Sequence, residues 1–389
     1  MKKQPKSVFI VRSNPMAPDP RTKKEAITLS KNGFSVTVIA WDKEGNLKQF
    51  ESEKFGKVYR IRTKILSNKN IKIKHFKGLI NIALWNFSLL KFFVKHRNEY
   101  AVIHVLDFDS IIPAYLCKVF LHKKVIYDVA DFYSDMLVNV SPTLRKILRF
   151  IDLFIINRVD AVILPDEQRA KWIEGTNPKS LTFIYNSVPG EILQYAENSA
   201  DLGSVEHKIT YIGLLAFERG LLPIINVVKK LSNWRLILGG FGGNEPEIRK
   251  ICKDVKNIEV LGKMSYEEVI RLESVSDILF ATYDPSIPNH RFSSPNKLFE
   301  AMAFGKPIIV ARGTGVDKIV EKYNLGFVVD YGNEQQLEKV LKEVETWDKE
   351  KKKQFAEHSI KIYNENFSWE IMEKRLVDLY SNLLDSGDD

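Results

Sequence analysis

Apolar residues along this chain fall into two alternating patterns. One is a short run of β-branched and aromatic residues: Val8-Phe-Ile-Val11, Val36-Thr-Val-Ile-Ala40, Val102-Ile-His-Val105, Val125-Ile-Tyr-Asp-Val129, Val162-Ile-Leu164 and Leu181-Thr-Phe-Ile-Tyr185. Continuous runs suit strands buried on both faces. The other pattern, between the runs, has helical spacing. A helix is expected from Thr22 to Lys31, opened by Thr22-Lys-Lys-Glu25 as a capping box and closed by Gly33. Such alternation predicts a parallel sheet with right-handed crossovers. The pattern pauses over the polar stretch Asn186–Lys208, read as a linker. It restarts at Ile209-Thr-Tyr-Ile-Gly213 and continues through Arg235–Gly239, Ile258–Gly262, Ile278–Thr282, Pro307–Val310 and Gly326–Val329. Ser265-Tyr-Glu-Glu268 is a second capping box, and helices over 334–345, 348–363 and 369–384 close the chain. The prediction is two Rossmann-like α/β domains in tandem. Ligands then sit beyond the carboxyl ends of the strands, in a cleft between facing domains.

A length of 389 residues agrees with two domains, and 44% hydrophobic residues exclude a disordered chain. Two cysteines, Cys117 and Cys252, fit a reducing compartment better than a disulfide scaffold. The first apolar run is too short for a signal-peptide core, and no run of 18 apolar residues suggests a membrane span. A cytoplasmic location is expected. The net charge of +9 is uneven: residues 1–200 carry 32 Lys and Arg against 19 Asp and Glu, residues 201–389 carry 26 against 30. The basic half suits an anionic membrane, nucleic acid or phosphorylated substrate. No recognised nucleic-acid module accompanies it, so nucleic acid is not expected. The seven histidines lack zinc-ligand spacing, and no G-x-S-x-G elbow or Walker A loop is present. Ser13-Asn14-Pro15 follows the first strand where a nicotinamide enzyme needs G-x-G-x-x-G.

Residues 293–310, SSPNKLFEAMAFGKPIIV, carry the most chemistry. Ser294 is expected as N-cap, with Pro295 at the first helical position. Asn296 and Lys297 then fall in the first turn, where a lysine opposes the helix dipole. Free amides plus that lysine make a phosphate or diphosphate pocket. Glu300, three residues on, shares a helix side with Lys297. It can accept two hydroxyl hydrogen bonds from a ribose, or form a plain surface ion pair with Lys297.

This segment resembles the C-terminal signature of family-4 glycosyltransferases, whose fold is GT-B. Tyr211–Gly220, Leu236–Gly240 with Gly242 and Gly243, and Val260–Met264 are similar to the family's donor-domain loops. Asp19–Trp41, Ala101–Leu116, Val125–Met136 and the closing Phe367–Tyr380 are similar to segments of its other domain. The resemblance implies that Arg219 and Lys297 hold a donor diphosphate and that Glu300 binds the ribose. Asn296, Leu298, Gly213, Gly240 and Met264 complete the nucleotide pocket. Asn14, Arg21 and Tyr133 fall on the acceptor side. Arg219 and Lys297 together neutralise a leaving diphosphate, so no divalent metal and no cofactor is expected.

Three positions depart from the family pattern. Phe292 stands where a glutamate is frequent, and Leu106 and Ala130 stand where histidines near the transferred sugar are frequent. Asp107, Asp109, Asp131 and Tyr133 remain at these strand ends. Asp131 or Asp107 is the candidate to position hydroxyls, or to act as a base if burial raises its pKa. Capping carboxylates are the alternative. Asp107-Phe-Asp109 is formally a D-x-D, a weak metal signal without further ligands.

Residues 69–97 are basic and aromatic, with Leu79, Ile82, Ala83, Asn86, Leu89, Leu90 and Phe93 near helical spacing. This segment either lies on an anionic membrane beside a lipid-linked acceptor or packs on the sheet. The expected protein is a GT-B enzyme. Domain one spans 1–190 plus a closing helix in 366–389, and domain two spans 205–365. It transfers a sugar from a nucleotide-diphosphate donor to a glycan or lipid-linked acceptor, with retention, as the resemblance implies. It would be peripheral to the inner face of the cell membrane. A nucleotide-sugar epimerase of the same fold and an inactive scaffold are the other two readings.

Overall fold

A computed structural model describes residues 6–16, 19–63, 71–137, 140–197 and 207–385, with the backbone alone at 71–77, 79, 196 and 197. The chain divides into two compact units: Met1–Tyr185 with Met372–Asp389, and Asn186–Ile371. Each is an α/β unit built on a largely parallel sheet, as the strand–helix alternation predicts.

The first unit runs β1 (Ser7–Arg12), α1 (Pro20–Lys31), β2 (Ser35–Trp41), β3 (Phe50–Glu53), β4 (Gly56–Ile61), α2 (Ile71–Lys95), β5 (Val102–Leu106), α3 (Ile111–Leu121), β6 (Lys124–Asp128), α4 (Tyr133–Met136), α5 (Pro142–Ile156), β7 (Ala161–Leu164) and β8 (Leu181–Phe183). The sheet order is β3-β4-β2-β1-β5-β6-β7-β8. One correction concerns its edge. β3 pairs antiparallel with β4, and neither has the apolar run that marks the buried strands. Polar side chains suit an edge strand.

From β1 to β2 the chain steps one way across the sheet; β4 to β5, β5 to β6 and β6 to β7 step the other way. Right-handed crossovers therefore put α1 on one face and α2, α3 and α5 on the opposite face. Trp85 of α2 stacks on Trp41 at 5.1 Å between ring centroids. The N-terminus of α1 differs from expectation. Asp19, not Thr22, caps it, accepting from Thr22 N at 3.1 Å. Pro20 sits comfortably in the first turn because it has no amide hydrogen to satisfy. Glu25 is thereby free of a capping role and is buried.

The second unit runs α6 (Gly190–Glu197), β9 (His207–Leu214), α7 (Leu221–Val228), β10 (Trp234–Phe241), α8 (Glu245–Cys252), β11 (Ile258–Val260), α9 (Tyr266–Ser274), β12 (Ile278–Ala281), α10 (Asn296–Ala303), β13 (Ile308–Ala311), α11 (Val316–Tyr323), β14 (Gly326–Val329), α12 (Glu334–Glu345) and α13 (Lys349–Ile362). Its sheet is parallel in the order β11-β10-β9-β12-β13-β14. The stretch expected as a linker is structured in part: α6 packs on α9, while residues 198–206 lie outside the described residues. The Ser265–Glu268 capping box forms with both of its hydrogen bonds.

The last helix, α14 (Trp369–Asp385), belongs to the first unit from Met372 onward. Its Tyr380 ring meets Phe34, and its hydroxyl lies 2.9 Å from His104 Nδ1. The closing helix thus completes the first unit on the α1 side of the sheet.

Candidate functional site

In the second unit, the carboxyl ends of β9 and β10 come together as bare backbone. Gly240 pairs in register with Gly213. A Cβ on Gly240 would lie 1.8 Å from the Gly213 carbonyl oxygen, and its φ of +122° suits only glycine. Met264 closes one side, its terminal methyl 2.3 Å from where a Cβ on Gly239 would be. Gly240→Ala is expected to destabilise the protein by about 3 kcal/mol, from strain plus overlap. A denaturation midpoint equal to wild type would refute this.

Arg219 ends the short turn Phe217–Arg219 that follows β9. Gly220 takes over with φ +68°, and Thr282 Oγ1 crowds its missing Cβ while donating to the Arg219 carbonyl at 3.0 Å. The Arg219 guanidinium lies 4.6 Å from the Tyr283 ring centroid, and its Nε is buried without a hydrogen-bond partner. Lys297 is 8% exposed, with Nζ 4.6 Å from the Tyr211 ring centroid and 3.2 Å from the missing Cβ of Gly213. Among the described residues neither cation has a carboxylate within 4.0 Å. Tyr211, buried, has its phenol pushed far up by desolvation, and its hydroxyl donates to the Leu214 carbonyl at 2.8 Å. Lys297 and Arg219 thus lie over two different rings, Tyr211 and Tyr283.

Helix α10 begins one residue later than expected. Pro295, with extended backbone, takes the N-cap position and no side chain caps the helix. Ser294 instead presents its carbonyl to Asn186 Nδ2 at 3.1 Å. Asn296 is exposed at the helix start; Leu298 is buried, so only its backbone can serve a ligand. The Lys297–Glu300 surface pair does not form. Glu300 is 2% exposed and accepts from the Tyr266 hydroxyl at 3.1 Å. Beside it Glu273 is fully buried, and desolvation followed by the Glu300 charge holds its carboxyl well above the usual range. The reading of the sequence missed Tyr266 and Glu273. The available signal was a carboxylate in the apolar stripe Tyr266, Ile270, Glu273. It also missed His290, whose pKa burial and the Arg219 charge lower.

The strand ends of the first unit hold a different set. Arg12 Nε donates to Asp19 Oδ2 at 2.7 Å, and its Nη1 donates to Asp107 Oδ2. Asp107 Oδ1 accepts from the backbone of Ala130 and Asp131, at 3.1 and 3.2 Å. Its φ of +69° is strained for a residue with a side chain. Asp107 is thus a clamp holding the end of β5 to the loop after β6. Burial pushes its carboxyl up to about 6, against the Arg12 charge and with help from Asp131 and Asp109. Because the folded value lies above the unfolded one, its carboxylate costs more stability as pH rises through about 6. The melting-temperature difference between Asp107→Asn and wild type should therefore shift in the variant's favour from pH 5 to pH 7. A difference independent of pH would remove this assignment.

Asp131 is more exposed and lies 3.6 Å from Arg169. Tyr133 stacks on Phe108 at 5.5 Å. Asn14 is occupied within its own loop: Nδ2 donates to Asp19 at 2.6 Å and Oδ1 accepts from Met16 N at 2.8 Å. The placement of Arg21 on the acceptor side is corrected. It is buried, donating from Nε and Nη2 to Asp128 at 2.8 and 2.9 Å and from Nη1 to the Ile184 carbonyl at 3.0 Å. Glu25, His104 and Asp128 converge there although the histidines have no ligand spacing along the chain. This donor trio could geometrically hold a cation. Arg21, 3.3 Å from Glu25, already supplies that positive charge.

The geometry of the second unit combines cations, glycine-lined strand ends and an uncapped helix start. Residues 196–362 match the family model described as glycosyl transferases group 1. The chain is 24% identical over 199 residues to spore coat protein SA of Bacillus subtilis, a match covering 47% of this chain. The chain spans about half (51%) of that relative's length. Sucrose-phosphate synthase from Thermosynechococcus elongatus superposes with a TM-score of 0.80 at 14% identity, covering 98% of this chain and 100% of that one. The Anabaena HepE protein, in complex with UDP and glucose, gives 0.71 at 15%, covering 96% and 99%. At these identities the likeness is one of fold, and that fold is GT-B. The match to the group 1 model falls within the second unit of this GT-B fold.

Proposed function

We propose that this protein transfers a hexose from a nucleotide-diphosphate donor to a glycan or lipid-linked acceptor, retaining the anomeric configuration, in the synthesis of cell-surface polysaccharide or glycoconjugate. One observation carries the reading: Lys297 over Tyr211 and Arg219 over Tyr283 have no carboxylate within 4.0 Å among the described residues, and Lys297 stands in the uncapped first turn of α10. Two cations in a partly desolvated site favour a ligand with at least two negative charges.

In this reading Lys297, Arg219 and the amides of Asn296 and Lys297 hold the diphosphate. The bond from the sugar's anomeric carbon to the diphosphate oxygen breaks, and the leaving oxygen gains negative charge where these donors stand. The acceptor oxygen bonds to the anomeric carbon on the same face, and its proton passes to the leaving phosphate. No divalent metal is required, because the side chains supply the counter-charge. Glu300 accepts from the ribose hydroxyls. The Tyr266 hydroxyl and the neutral Glu273 carboxyl fix its orientation. Gly213, Gly240 and Met264 shape the nucleotide pocket. Asp131 and Tyr133 handle acceptor hydroxyls. Asp131 is better suited than Asp107, whose oxygens are committed to Arg12 and two backbone amides.

The test is calorimetry without metal against UDP, GDP, dTDP, CDP and ADP and their sugars. One nucleotide is expected to bind, with affinity reduced about tenfold or more by Glu300→Ala, in line with loss of a charged hydrogen bond. Binding to none, or undiminished binding by Glu300→Ala, would refute the donor site. Release of nucleoside diphosphate without an acceptor-derived product would favour an epimerase.

A further inference from the structure

The outer surface of the α2, α3 and α5 layer is unusually apolar. On α2, Trp85, Leu89 and Phe93 are buried, while Leu84, Phe87 and Val94 point outward. On α3, Ile111, Ala114 and Cys117 are buried, while Ile112, Val119 and Phe120 point outward. On α5, Ile155 and Ile156 are buried, while Ile147, Phe150 and Phe154 point outward. Among the described residues, these nine are the majority of the fourteen exposed large hydrophobic side chains. Phe87, Phe120 and Phe150 are each 70% exposed or more. The edge of Tyr115 on α3 meets Phe154 on α5 at 6.3 Å, so the two stripes are continuous. A solvent-facing layer of this kind marks an interaction site rather than scattered surface residues.

The charges on the same helices identify what it meets. The sequence of α2, α3 and α5 holds nine Lys and Arg and one acid, Asp152. That acid is buried and accepts from the Tyr127 hydroxyl at 2.8 Å. Lys91, Lys95 and Lys146 are exposed between and beside the apolar side chains. Arg158, just past α5, lies over the Phe154 ring at 3.6 Å. Pairing this face with a second copy of itself would oppose like charges. No helix among the described residues is long and apolar enough to cross a membrane.

We infer that the outer face of α2, α3 and α5 docks the first unit on an anionic lipid bilayer, with Phe87, Phe120 and Phe150 entering the acyl boundary and the lysines facing headgroup phosphates. This binding is peripheral and does not depend on the transfer chemistry. It enlarges the segment flagged in the sequence. The stripe named there packs inward through Leu89 and Phe93, and the side chain of Leu79 lies outside the described residues. The lipid-facing side chains are its neighbours on α2, joined by two further helices.

The experiment is co-sedimentation of the full chain with vesicles of phosphatidylcholine and phosphatidylglycerol at 3:1, and of phosphatidylcholine alone. Partitioning into the anionic vesicles is expected to be at least tenfold stronger and to fall as salt rises. Phe87→Ser with Phe120→Ser and Phe150→Ser, and separately Lys91→Glu with Lys146→Glu, should each weaken it tenfold or more. Phe150→Trp should be quenched by brominated acyl chains. The variants must melt as wild type does and keep nucleotide affinity, which separates this test from the donor-site reading. Single-residue replacements replace the triple one if it fails to fold. No anionic preference, unaffected variants or an unquenched Trp would overturn the proposal. So would a dimer in solution that Phe150→Ser dissociates, because the face would then join two copies.

Discussion

Lys297→Ala is expected to lower kcat by about 10²- to 10³-fold, the loss seen when one charged donor to a developing oxyanion is removed. The size of the effect follows from where the ammonium sits. It is nearly buried, it lies over a neutral phenol, and among the described residues no carboxylate lies within 4.0 Å of it. A cation held in this way strengthens any charge that grows beside it, because the surroundings screen poorly. Arg219→Ala should lower kcat comparably. The double variant should lose less than the product of the two losses, since in the proposed reaction both cations act on one leaving group. Affinity for the intact nucleotide sugar should fall less than kcat in each case, because its leaving oxygen carries less charge in the bound donor than in the transition state. Single-turnover rates with saturating donor provide the measurement. Unchanged kcat in Lys297→Ala would remove the central claim about this site.

Arg21→Met is expected to destabilise the first unit by about 3–5 kcal/mol, the usual consequence of stripping one partner from a buried ion pair. Arg21 is the hub of the set. It donates twice to Asp128, lies near Glu25, and binds the carbonyl of Ile184. Burial alone would raise the Asp128 pKa, but the Arg21 charge and His104 outweigh it and hold the carboxyl below its usual range. Asp128 therefore contributes stability that is present above the ordinary carboxylate range and lost as pH falls through its depressed folded value. Burial pushes Glu25 the other way. The penalty of Arg21→Met should be largest near neutral pH and shrink below about pH 4, where Asp128 protonates in the unfolded chain. Urea denaturation at pH 7 and pH 3 checks both the size and the trend.

Much of the fold was legible because strands buried on both faces leave continuous apolar runs. Val8–Val11 and Ile278–Thr282 are of that kind, and each lies in a strand. β3 and β4 escaped because an edge hairpin needs no such run; Phe50–Glu53 reads as a loop. Helix starts were less secure. Thr22 and Ser294 had the right side chains, yet Asp19 caps α1 and Pro295 leaves α10 uncapped. Local chemistry offers several acceptable starts, and packing chooses among them. At the site, Arg219, Lys297 and Glu300 lay on recognisable segments. Glu273, Tyr266 and His290 did not, because their roles depend on elements that meet only in three dimensions. Arg21 misled for the same reason. A polar residue in the first turn of a helix looks available until Asp128, 107 residues later, comes to meet it.

Tyr380 joins the hydroxyl of the last helix to His104 inside the first unit. The unit that the ribosome makes first is therefore finished last. Asn186–Ile371 is contiguous and has all its strands before α14 emerges. The first sheet must wait, with Phe34 and the Glu25–His104–Asp128 pocket uncovered on one side, until Met372–Asp385 is released from the exit tunnel. During synthesis the order of maturation is inverted relative to the order of the sequence. The interval in which the nascent first unit lacks this cover is at least the time needed to translate Asn186–Ile371.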